Sequence, residues 1–327
     1  MHKSIFISEP LNFEAINYAR ELNLDSVFYS HKNLTHENAS LIKKELGGKV
    51  AQNIEVPFFV GKELLEKYPD ALPVEAEGKS LEKEGYPGIC PTHPGVKNER
   101  IDDVKEVLKQ NIDGIWMDFI RYPTKWDEPT PIVFDTCYCD RCLTMFEDYI
   151  DEKVHKPTIE ETVLLIDGSY YIEWIEFKTE QILAMVREVR ELVDNHNKAN
   201  KLVKLGYFAI PWREDEHQAG IKRILGQDAA KISNYVDIIS PRLYHKMVNR
   251  SVDWISQMVN YYWELGKPIL PFIQTEPRIH EIPDSEFSEA MQVVSKSPSE
   301  GVCVFFLQNL VKQKGKFDLV KELYSKS

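Results

Sequence analysis

Asp113-Gly114-Ile115-Trp116-Met117-Asp118-Phe119-Ile120-Arg121-Tyr122-Pro123 is a short apolar run with a carboxylate at each end, and Tyr122-Pro123 marks a turn. With Ile112 in front it predicts a buried strand over 112–118. The same unit recurs in both directions. Strands are expected over 4–8, 25–29 and 53–60, with helices over 12–22, 36–46 and 100–110. Gly47-Gly48 forms the C-terminal stop of the second helix. Downstream, strands over 202–209, 236–240, 268–275 and 301–307 alternate with helices over 173–195, 228–235, 252–265, 285–295 and 315–324. The 173–195 helix carries Ile175, Ile182, Met185, Val186, Val189 and Leu192 at helical spacing. Eight strands with helices between them predict a (β/α)8 TIM barrel. A doubly wound open sheet gives the same alternation, but no glycine-rich phosphate loop follows the first strand, so the barrel is preferred. Residues 1–327 are expected to form one catalytic α/β domain. It has long loops after strand three (61–94) and strand four, the latter a cysteine-rich insertion over about 123–169.

Composition narrows the class. The 327 residues are 43% hydrophobic and 28% charged, which excludes disorder and coiled coil. The net charge of -12 argues against a nucleic-acid partner, which a basic field would attract. No apolar stretch of 18 residues is present, so no membrane partner is expected. Residues 1–7 do not read as a signal peptide, so a cytoplasmic location is expected. A start from which a leader had been removed would look the same, leaving secretion or the periplasm open. Oligomeric state is not legible.

In a TIM barrel the chemistry sits at the C-terminal ends of the strands. Asp113 is at the stabilising end and Asp118 at the chemical end, with Arg121 and Tyr122 just beyond. Strand seven finishes Gln274-Thr275-Glu276. Asp118 and Glu276 could converge on one bond from across the barrel, and two carboxyls are the minimum for glycoside hydrolysis. A plainer account pairs Asp118 with Arg121 and lets Glu276 cap a turn. Asp228 is a backup acid or a helix N-cap. Tyr207, Trp212, Arg213, Arg242, Tyr244 and His245 follow strands five and six. Trp212 and Tyr244 suit a sugar face or loop packing. Arg121, Arg213 and Arg242 suit an acidic, uronic-acid-containing oligosaccharide, or else pair internally.

Cys137-Tyr138-Cys139-Asp140-Arg141-Cys142 follows strand four, and Cys90 precedes the helix that leads into it. Four thiolates can close a tetrahedral structural zinc site that would pin the 61–94 loop against the insertion. Unligated thiols in a reducing compartment are the alternative. His93 is a substitute ligand or a substrate contact. Cys303 reads as core. No organic cofactor is expected. No histidine-pair motif supports a catalytic metal.

The strand-four segment resembles the D-G-I-W-x-D-[FY]-I-R-Y-P strand of hypothetical glycoside-hydrolase-like barrels of bacteria, and Pro241-Arg242-Leu243-Tyr244 resembles their P-M-x-Y strand end. That resemblance implies a TIM barrel acting on carbohydrate. The cysteines resemble those of the glycoside hydrolase family 42 β-galactosidases, where a lone cysteine before strand four and C-x-C-x-x-C after it bind one zinc. That family places an Asn-Glu acid/base on strand four and a glutamate nucleophile on strand seven. Met117-Asp118-Phe119 lacks the Asn-Glu pair, which argues against β-galactosidase activity, while Glu276 matches the strand-seven position. A barrel that binds carbohydrate without cleaving it is the rival reading.

Overall fold

The computed structural model describes residues 1–81, 87–275, 278 and 280–326. Eight parallel strands close on themselves: β1 (His2–Phe6), β2 (Ser26–Ser30), β3 (Ala51–Pro57), β4 (Gly114–Asp118), β5 (Lys204–Ala209), β6 (Ile238–Leu243), β7 (Phe272–Gln274) and β8 (Gly301–Phe305). Each pairs with its neighbour in chain order, and β1 pairs with β8 to seal the ring, Ser4 lying opposite both Ser26 and Cys303. The principal helices are α1 (Phe13–Arg20), α2 (His36–Leu46), α3 (Pro94–Leu108), α4 (Asp140–Ile150), α5 (Ile159–Ser169), α6 (Tyr171–Asn197), α7 (Ala229–Ser233), α8 (Asp253–Trp263), α9 (Asp284–Lys296) and α10 (Lys314–Lys326). The expected (β/α)8 architecture is present. Among the described residues, no helix is long and apolar enough to cross a membrane.

Period-two alternation divides each strand between two cores. Outward residues pack under the helices. Inward residues fill the barrel with aromatic rings: Phe28 meets Trp116 edge-on at 4.9 Å and Phe272 at 5.0 Å, and Phe208 meets Phe272 at 4.8 Å. The Trp116 indole lies flat across the interior and donates to Ser240 Oγ at 2.9 Å. Only glycine fits beside it. A Cβ on Gly114 or Gly206 would fall 2.4 Å from the Trp116 ring. Cys303 belongs to this inner layer, as its strand position implied.

Four departures from the expected boundaries have local causes. Helix α3 begins at Pro94 rather than residue 100, because His93 caps it, Nδ1 accepting from Val96 N at 3.2 Å, and proline suits the first helical position. Strand β6 continues through Pro241 to Leu243, with Pro241 opposite Ala209. Arg242 therefore lies inside the strand and not in the loop after it. Strand β7 is short, because Pro268 and Pro271 supply no backbone donors to a longer ladder. The 123–169 insertion is largely regular: a small hairpin (Thr124–Lys125 with Ile132–Val133) followed by α4 and α5.

Candidate active site

The C-terminal mouth of the barrel is built around one guanidinium. Asp118 ends β4 pointing inward, two residues after Trp116 on the same face. Its Oδ1 accepts from the Phe119 amide at 2.8 Å, and Phe119 takes a left-handed φ of 48° that turns the chain away. Arg242, inward on β6, lies 4.3 Å over the Phe208 ring and 5.6 Å from that of Phe305. Its Nη2 donates to Asp118 Oδ2 and lies 3.4 Å from Glu55 Oε1. Its Nη1 is 3.4 Å from the Tyr244 hydroxyl. Tyr244 is stacked between Trp126 and Phe305, at 5.6 and 5.2 Å. The side chains of Glu55, Asp118 and Arg242 keep 15, 8 and 11% of their surface, so the group is enclosed yet reachable. Burial, and then the neighbouring Asp118 charge, push the Glu55 carboxyl well above the usual carboxylate range, against the pull of Arg242.

Beside this group, a cavity of about 210 Å³ opens between the β4 hairpin and the loops after β5 and β6. Trp126, Trp212, Trp254 and His217 line it, together with Glu128 and the Glu216–Arg250 ion pair at 2.7 Å. The Trp212 and His217 rings are 4.2 Å apart. Trp126 belongs to both places, lining the cavity and stacking on Tyr244. A larger cavity of about 850 Å³ lies at the opposite, N-terminal end. The carboxylates there serve the scaffold: Asp113 Oδ2 accepts from Gln52 N at 2.9 Å, and Asp237 holds Arg190 at 3.1 Å.

Of the residues singled out from sequence, the structure brings Asp118, Arg242 and Tyr244 together and sets Trp212 in the adjoining cavity. The others go elsewhere. Arg121 is buried and donates to the carbonyls of Tyr122 and Thr124, so it is not the partner of Asp118. Tyr122 is buried beneath Lys178, whose Nζ is 4.6 Å from its ring and donates to Thr136 O at 2.5 Å. Burial draws the Lys178 ammonium down to about 8. Tyr207 alternates to the outer face and packs under the helices, since its neighbours Gly206 and Phe208 take the inward positions. Arg213 is exposed, 5.8 Å from the Tyr261 ring. Asp228 caps α7, accepting from Lys231 N at 3.1 Å. His245 Nε2 contacts Glu286 at 3.0 Å, and Gln274 Oε1 accepts from Met247 N at 3.2 Å. Both ring nitrogens of His93 are engaged, one capping α3 and the other 3.1 Å from Asp70. Glu276 lies outside the described residues.

Sequence reading missed Glu55 and Trp126. A carboxylate in Asn53-Ile54-Glu55-Val56, at an inward position of a buried strand, was the available signal, because such a residue must be paired or neutral. Trp126 gave none beyond being an aromatic in an insertion.

The four cysteines converge as their spacing suggested. All the sulfurs of Cys90, Cys137, Cys139 and Cys142 lie within 4.8 Å of one another, with Cys90 Sγ 3.4 Å from Cys142 and 4.0 Å from Cys139. None is in a disulfide. Cys90 comes from the loop after β3 and the rest from the insertion after β4, with Cys139 at the N-cap of α4. The Val74 amide donates to Cys137 Sγ at 3.4 Å, and Tyr138 N bonds Val74 O at 2.9 Å, tying the two segments together. Three of the four residues are buried. The cluster is able to chelate a metal, and this all-thiolate, closed donor set fits a structural ion and offers no open position.

No family model matches the chain, and no curated protein matches its sequence. Solved structures do match. The glycoside hydrolase domain of PgaB (BpsB) from Bordetella bronchiseptica is similar over 98% of both chains, with a TM-score of 0.73 and 12% identity. A β-galactosidase from Halorubrum lacusprofundi (TM-score 0.72, 11% identity) and one from Rahnella sp. R3 (0.71, 12%) match 100% of this chain. The fold is a glycoside-hydrolase-like (β/α)8 barrel. The chain spans 58 and 56% of those two galactosidases, and at such identities the likeness is one of fold.

Proposed function

We propose that this barrel is a glycoside hydrolase whose reaction centres on Asp118. The observation that carries the reading is a carboxylate at the C-terminal end of β4, paired with Arg242 and set beside an aromatic cavity. Glycoside hydrolysis needs one carboxyl to protonate the leaving oxygen and another to attack or to direct water. Asp118, paired with a guanidinium, suits the second task, and Glu276, two residues past β7, is proposed for the first. Indole faces lining a cavity of this size suit the apolar face of a pyranose ring.

The arginines lend little to an acidic substrate. Arg242 is committed to Asp118 and Glu55, and Arg121 to backbone carbonyls, which leaves a neutral sugar as the preferred ring at this site. We further assign zinc to the four-cysteine cluster, held by Cys90, Cys137, Cys139 and Cys142 in a structural role.

The test is turnover of a panel of neutral oligosaccharides and aryl glycosides. Release of reducing sugar by the wild type and its loss in Glu276→Gln are expected. Oligosaccharide binding with no turnover would transfer the reading to a non-catalytic carbohydrate-binding barrel, which the tight Asp118–Arg242 pair also suits. In the same assay Trp212→Ala should raise KM about 3- to 10-fold, the worth of one stacking face, with kcat little changed. A fall in kcat alone would remove Trp212 from ground-state sugar binding.

A further inference from the structure

Strands β3 and β4 run in register with Pro57 opposite Asp118, so the inward Glu55 sits one layer below Asp118 on the neighbouring strand. Both carboxyls face the Nη2 of Arg242, Glu55 Oε1 at 3.4 Å and Asp118 Oδ2 in closer contact. Two carboxylates against one guanidinium would leave a net negative charge in an enclosed site. Among the described groups, no second cation supplies the difference. Behind the Glu55 carbonyl stands His31, which burial keeps neutral, with Asp103 and Arg100 beyond it. On the far side of Arg242 lie the Tyr244 hydroxyl and Asp127, and Asp127 is itself paired with Arg278.

We infer that Glu55 and Asp118 share a single proton under the Arg242 guanidinium, so that the two carboxyls form one acid–base unit in which Glu55 is the positioning residue that holds the proton and keeps Asp118 ionised. The charge count closes with one proton on the pair, and the closer contact of Asp118 with Nη2 places it on Glu55: the neutral Glu55 donates its O–H to the Asp118 carboxylate, and Asp118 and Arg242 neutralise each other. Burial first, and then the Asp118 charge, raise the affinity of Glu55 for its proton in the same direction. The unit also explains why Glu55 and Asp118 are not themselves the acid and nucleophile of a retaining or inverting pair. Those groups stand about 5–9.5 Å apart across the bond to be cut, whereas these two carboxyls are gathered on one guanidinium nitrogen. The inference deepens the hydrolase reading of the same mouth, but its test needs no substrate.

Infrared difference spectra of the intact chain at neutral pH should contain the carbonyl stretch of one protonated carboxyl. It should vanish in Glu55→Gln, which removes the acid, and also in Asp118→Asn, where Glu55 ionises to become the counter-ion of Arg242. No such band in the wild type, or a band that survives Asp118→Asn, overturns the shared proton. The second result would mean that burial alone protonates Glu55. Failure of the hydrolase reading shows instead as no turnover with the infrared result intact.

Discussion

Replacing Asp118 with asparagine is expected to lower kcat by about 10²–10⁴-fold on any glycoside that the wild type cleaves. Asparagine keeps the shape, but its single oxygen can accept from only one of Arg242 and the Phe119 amide, which in Asp118 bind different oxygens. It cannot attack, and it cannot accept a proton from water. The loss should therefore fall on kcat with KM nearly unchanged, the pattern of an interaction made in the transition state. The fold should survive. Stripping one partner from a buried ion pair ordinarily costs about 3–5 kcal/mol. Here Glu55 stands 3.4 Å from the same Nη2 and takes over as counter-ion, so the measured cost should lie well below that range. Kinetics and thermal melts on the same preparation read both parts. Turnover within a few-fold of wild type would remove Asp118 from the chemistry, and an unfolded variant would show that Glu55 cannot compensate.

Loss of the metal should act on stability. Zinc–sulfur bonds of about 2.3 Å in a tetrahedron place sulfurs about 3.8 Å apart. The 3.4 and 4.0 Å separations at Cys90 bracket that value. One zinc per chain is the expected stoichiometry by elemental analysis. A strong chelator, or Cys142→Ser, should lower Tm by roughly 10 °C or more, given what structural zinc contributes to folding. Proteolysis should open within 61–94 and 123–169 before the barrel is cut, because the cluster joins those two segments while the strand ladder does not depend on it. A purified chain that holds no metal and gains no stability from added zinc would leave four free thiols and end the assignment.

Asp118 and the four cysteines were legible in sequence for different reasons. Asp118 stands at the end of a strand whose apolar run is unambiguous, and the barrel rule says which end matters. The cysteines declare themselves by spacing. Arg242 is legible as a residue of the mouth but not in its place: the expected strand stops at residue 240, whereas β6 runs on through Pro241 to Leu243. Tyr207 and Tyr122 failed for a further reason. Being near a strand end does not say which face a side chain takes, and one step of alternation sends Tyr207 under the helices. Glu55 was hidden by the opposite error. It lies within a strand, and a search of loops and strand ends passes over it. What pairs with what across the barrel depends on register, and no single strand carries that information.

The acidic pair and its guanidinium stand on β3, β4 and β6, where the hydrogen-bond ladder sets their spacing. The cavity beside them is lined mostly by loop residues, among them Trp212, His217 and Glu128, with Trp254 from the first turn of α8. On the proposed function, reactivity and selectivity are thus carried by separate parts of the molecule. Redesign aimed at a new sugar can work on the hairpin around Trp126 and the turns after β5 and β6 as a replaceable module, with Glu55, Asp118 and Arg242 left as found.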